Sequence, residues 1–157
     1  MVTKQTNSEY DEYYRTKLAS ALEFQDHVVD ICSQRIGLII QQYSSHRRQL
    51  DTGESRNGVE VKHDEMFADT GNLWIECFEK SHPDIQDYTA SGIFRDDNSW
   101  LYAIGNYDVL FIFSKKLLQG LDGSGRYPRR ENKTKTSVGY LLPSYSAYKY
   151  AANVITT

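Results

Sequence analysis

The chain has 157 residues, 39% of them hydrophobic and 25% charged, with a formal net charge of −3. That length fits one domain with a single substantial core, and the composition excludes a disordered chain. The charge excludes a uniformly basic nucleic-acid binder, and two cysteines, Cys32 and Cys77, exclude a disulfide framework or a cysteine-rich zinc site.

The first third reads as helix. Ser8 can cap it, and Glu9, Asp11 and Glu12 follow in the favourable first turn. Leu18, Ala21, Leu22, Val28, Val29, Cys32 and Ile36 recur at helical spacing, and Gly37 is a stop signal. A break between Phe24 and Asp26 would give two helices instead of one. Leu38-Ile39-Ile40 then opens a strand that starts buried and ends exposed near Thr52. The stretch from Thr52 to Gly58 is rich in turn formers. Its Asn57-Gly58 pair predicts a hairpin, with Val59 and Val61 on the returning strand. Thr70-Gly71-Asn72 is a further turn, and Leu73 to Phe78 a third strand.

Ser81 to Asp97 is polar and irregular. Trp100 to Ile104 and Tyr107 to Phe113 flank Gly105-Asn106, a second hairpin signal. Lys115 to Leu121 reads as a short helix, residues 122–136 as a basic loop, and Pro143 onward as a final helical tail. The expectation is one domain over 1–157 of the α/β or α+β class, with a central mixed sheet flanked by helices. The N-terminus has no apolar signal region and no apolar run approaches membrane-spanning length, so the expected setting is the cytoplasm, with reduced thiols and no membrane partner. The twelve tyrosines suit half-buried faces better than ligand stacking. His27, His46, His63 and His82 make no zinc spacing.

One segment gathers groups that can do chemistry. Alternation along a strand puts Glu60, Lys62 and Asp64 on one face, and Val59, Val61 and His63 on the other. With the turn at Asn57-Gly58, Asp51 falls opposite Asp64; a one-residue bulge brings Glu54 to that face instead. Two carboxylates can hold Mg²⁺ with part of its water shell, the metal activates a water, and a neighbouring lysine stabilises charge on a phosphate. The competing reading is a solvated strand face on which Glu60 and Lys62 merely pair.

The run from Gly53 to Asp64 resembles the core of PD-(D/E)XK nucleases, in which an acid and a turn precede an acid-x-Lys strand. Thr70 to Glu76, Ser91-Gly92-Ile93 and the hairpin from Trp100 resemble the segments that follow in small phage and bacterial nuclease-like proteins, so the likeness covers about residues 20 to 120. It implies a restriction-endonuclease-like core and a DNA endonuclease that uses Mg²⁺, with Mn²⁺ able to substitute. It also implies Glu60 as the second metal-binding acid and Lys62 as the catalytic lysine. The first acid is Glu54 or Asp51, Glu54 being favoured by its Gly-Glu-Ser setting. Here the chain departs from the family pattern, because no proline precedes either acid and Glu54 would stand for the usual aspartate. Glu23 matches an accessory acid of some members, and Asp64 and Glu76 are further candidates.

Arg126, Arg129, Arg130, Lys133 and Lys135 on the late loop, with Arg47 and Arg48 on the first strand, are candidate phosphate contacts. The expected partners are double-stranded DNA and a second copy of the chain. The alternative is a catalytically inactive nuclease fold that binds DNA or a partner protein.

Overall fold

The computed structural model describes residues 7–42 and 55–157. Asn7–Ile36 form one uninterrupted helix, α1, without a break at Phe24. Gly37 ends it at φ 67°, a left-handed conformation that glycine takes without a Cβ penalty. Only the second half of α1 is packed. Phe24, Val28, Ile31 and Cys32 are buried, whereas Leu18 and Leu22, expected in the core, are 37% and 45% exposed. Length explains the difference. At 1.5 Å per residue the helix runs about 45 Å, while a five-residue strand runs about 16 Å, so half of α1 has no sheet beneath it.

The chain continues through β1 (Val59–His63), α2 (Phe67–Thr70), β2 (Asn72–Glu79), β3 (Thr89–Ala90) and a 3-10 turn at Gly92–Phe94. Then come β4 (Leu101–Gly105), β5 (Val109–Ser114), α3 (Lys115–Gly123), β6 (Arg130–Glu131), β7 (Ser137–Pro143), α4 (Ser144–Tyr150) and β8 (Asn153–Thr156). The strands make two four-stranded sheets, ordered β1-β4-β5-β8 and β3-β2-β7-β6. The first is mixed, since β1 runs parallel to β4 and the other pairs are antiparallel. The second is wholly antiparallel.

The mixed sheet is buried on both faces, which is why β4 and β5 read as nearly continuous apolar runs. One face, with Val59, Val61, Ala103, Leu110 and Ile112, packs on α1 through Phe24, Val28 and Cys32. The other, with Tyr102, Ile104, Phe111 and Phe113, packs on Leu73, Ile75, Tyr140 and Leu142 of the second sheet, on Leu118 of α3 and on Ala147 of α4. The mixed sheet flanked by helices is thus found, with one addition the sequence did not announce: a second sheet joins α3 and α4 on one face. The C-terminal tail is corrected. The chain leaves α4 and ends as β8, which pairs with β5. The hairpin expected around Gly105-Asn106 is formed by β4 and β5, and Asn106 Oδ1 accepts the Asp108 and Val109 N–H groups.

Among the described residues β1 has no hairpin partner across Asn57-Gly58. Gln42 already pairs with Ser55, and the Arg56 N–H donates to the Gln41 carbonyl at 2.6 Å. Asn57 is used elsewhere, accepting the Gln41 N–H and donating to the Ile39 carbonyl. Gly58 has φ 78°, and a Cβ there would stand 2.4 Å from the Asn98 carbonyl oxygen and 2.6 Å from the Trp100 ring. Its glycine therefore serves a close approach to the entrance of β4, and β1 takes a parallel partner. No helix among the described residues is long and apolar enough to cross a membrane.

Candidate functional site

The alternation expected on β1 is realised. Val59 and Val61 are buried against α1, and Glu60 and Lys62 lie on the opposite face, toward the second sheet. The Lys62 ammonium sits 2.9 Å from the Glu60 carboxylate. The carboxylate is the more enclosed partner, with its side chain 14% exposed against 47% for Lys62. Tyr102 of β4 lies beside Glu60 in register and is buried. Burial pushes its phenol pKa up, the Glu60 charge adds to the rise, and Lys62 opposes it.

Asp64 and Glu76 are close by but occupied. Asp64 Oδ2 accepts the Trp74 N–H at 2.8 Å and Oδ1 accepts the Met66 N–H at 3.1 Å, tying the end of β1 to β2. Ser137 Oγ donates to Glu76 Oε1 at 2.7 Å. Gly92, in the Ser-Gly-Ile segment, presses against the same stretch of β2: a Cβ on it would stand 2.1 Å from the Glu76 carbonyl oxygen. Glu23 is on α1, exposed, and its charge acts on Tyr107 of the β4–β5 loop. Because α1 covers the valine face of β1, Glu23 lies across the sheet from Glu60. Asp51, Glu54, His46, Arg47 and Arg48 fall outside the described residues. Among the described residues, no group of three His, Cys, Asp or Glu side chains could hold a metal ion.

Beside Lys62 opens a cavity of about 710 Å³, whose wall includes Asp64, Trp74, Glu76, Tyr102, Arg130 and Lys133. Two of the late basic residues therefore share a space with Lys62. The others do not line it. Arg126 donates to the Tyr150 hydroxyl, and Lys135 is exposed in a left-handed turn. Arg129 makes a two-pronged contact with Asp122, at 2.8 and 2.7 Å, and lies over the Phe78 ring. The Asp122 side chain is only 5% exposed, and the buried Cys77 thiol stands 4.0 Å from it. Burial first, and Asp122 second, push that thiol up to about 12, so it is not a nucleophile at neutral pH.

Arg129 thus holds β6 and its loop against α3 rather than meeting phosphate. Arg129→Ala is expected to lose about 1.5–3 kcal/mol of stability in urea denaturation, because it strands a buried carboxylate. Arg130→Ala, which breaks no ion pair among the described residues, should lose far less. Equal losses in the two variants would contradict this division.

Sequence reading did not single out Trp74. The usable signal was alternation along β2, which buries Leu73, Ile75 and Cys77 and turns Asn72, Trp74 and Glu76 outward. No family model, curated protein or solved structure matches this chain.

Proposed function

We propose that this protein is a metal-dependent nuclease of the PD-(D/E)XK type that hydrolyses DNA in the cytoplasm, working as a dimer. The observation that carries this reading is the Glu60–Lys62 pair, 2.9 Å apart on an inward-facing strand beside a cavity bordered by Arg130 and Lys133. A lysine positioned by a largely enclosed carboxylate, beside an arginine and a lysine that make no ion pair among the described residues, is arranged to receive an anion.

The described residues do not by themselves complete a magnesium site: they supply Glu60, and Glu54 or Asp51 would have to supply the rest. When bound, Mg²⁺ or Mn²⁺ would polarise the phosphate and activate a water. The chain's own contribution is positional. Glu60 fixes the Lys62 ammonium, Lys62 stabilises negative charge on the phosphate, and Arg130 and Lys133 hold the strand.

The lack of a three-ligand cluster among the described residues favours a second reading, a nuclease fold that binds DNA without cutting it. Two measurements separate them. A nuclease should melt at higher temperature as Mg²⁺ or Mn²⁺ is added, and should nick supercoiled plasmid only with the metal present. No thermal shift and no cleavage at any metal concentration would establish the binding protein instead.

A further inference from the structure

The space beside Lys62 is a half-open cavity. At about 710 Å³ it falls within the roughly 300–1,000 Å³ range of sites that enclose one small molecule. Part of its wall is an aromatic ring, Trp74, half-buried on the outward face of β2. Gly139 on the neighbouring β7 makes room for that ring, since a Cβ there would stand 3.0 Å from the indole Cζ2. The indole therefore lies over β7 and contributes to the cavity wall.

Charge is distributed to suit a phosphate at the rim. Arg130 and Lys133 have no carboxylate within ion-pair distance among the described residues. Four carboxylates line the wall and each is engaged: Asp64 accepts two backbone N–H groups, Glu76 the Ser137 hydroxyl and Glu131 the Tyr88 hydroxyl, while Glu65 stands 4.0 Å from the Lys17 ammonium and 3.9 Å from the His63 ring.

We infer that this pocket takes the base of an unpaired nucleotide, and that the DNA cut beside Lys62 is single-stranded there: an end, a flap or a gap. The bases of an intact duplex are stacked and offer only their edges in the grooves, so a duplex cannot lay a base face on an aromatic wall. An unstacked base can lie on the indole, whatever its identity, while Arg130 and Lys133 meet the adjoining phosphates. The inference rests on the nuclease reading of the same site but predicts binding that needs no metal, so the two fail separately.

The test uses the full chain with EDTA present and two probes, labelled oligo(dT) and a duplex of equal length. Oligo(dT) should bind more tightly than the duplex and quench tryptophan fluorescence. Trp74→Phe leaves Trp100 as the remaining tryptophan of the two; it should retain binding, read by anisotropy, and lose the quench. Trp74→Ala should weaken oligo(dT) binding about tenfold and leave duplex binding unchanged. In Mg²⁺, wild type should cut the single strand faster than the duplex. Equal binding and cutting of the two probes, with Trp74→Ala indistinguishable from wild type, would overturn the inference and leave the nuclease reading standing. Failure to bind or cut either probe would overturn both.

Discussion

Replacing Lys115 with methionine is expected to cost about 3–5 kcal/mol of folding stability. Lys115 is the first residue of α3, where a cation opposes the helix dipole, so it does nothing there for the helix. Its value lies in what it reaches. The ammonium donates to the Arg95 carbonyl at 2.7 Å and to Asp97 Oδ1 at 3.2 Å. Both side chains are nearly enclosed, at 11% and 7% exposed. Ser99 adds its N–H and its hydroxyl to the same carboxylate. Methionine matches the stem of the lysine and removes the charge, so Asp97 is left buried with its two Ser99 hydrogen bonds and no cation.

The pH dependence follows from sign. Burial acts to raise the Asp97 pKa, but hydrogen bonds from Ser99 and Lys115 outweigh it and hold the carboxyl below its ordinary value. A depressed acid contributes stability above its unfolded pKa, and the contribution is lost as pH falls through the folded one. In Lys115→Met the lysine's share of that depression is lost and the carboxyl shifts upward. Acid then relieves the variant by protonating Asp97, so the gap to wild type should be widest near neutrality and narrow toward about pH 4. Urea denaturation at the two pH values measures this. A gap that is small at neutrality, or that widens in acid, would contradict the account. The loss also bears on the site, because the same loop sends Asn98 Nδ2 to the Ser55 carbonyl and the Trp100 indole N–H to the Asn57 carbonyl, which fix the entrance of β1.

Lys62→Ala should behave in the opposite way, with little change in stability and a large change in activity. Lys62 is 47% exposed, so solvent screens the pair and its loss should cost less than about 1 kcal/mol. If the ammonium stabilises charge that develops on the phosphate, removing it should slow cleavage by about 10²–10³. The substrate affinity should fall far less, since Arg130 and Lys133 remain.

The parts of this structure that were legible in the sequence are those that local pattern decides. The 3.6-residue period and Gly37 fixed α1, Gly105-Asn106 marked the β4–β5 hairpin, and alternation put Glu60 and Lys62 on one face. What the pattern missed depends on contacts far apart in the chain. Asn57-Gly58 looks like a hairpin turn because nothing local reveals that Asn98 and Trp100 crowd Gly58. Parallel pairing of β1 with β4 joins segments about forty residues apart, and no turn signal announces it. Arg129 and Arg130 are neighbours of equal charge, yet Asp122 captures one and the cavity receives the other. Lys115 reads as a solvated helix start until Asp97 is brought against it.

The measurement that bears most directly on the central claim is the Mg²⁺-dependent rate of plasmid nicking by Lys62→Ala beside wild type, at equal folded concentration confirmed by circular dichroism. The account predicts an unchanged spectrum with nicking reduced at least about a hundredfold. Wild-type nicking by a folded Lys62→Ala protein would contradict it and remove Glu60 and Lys62 from the active site.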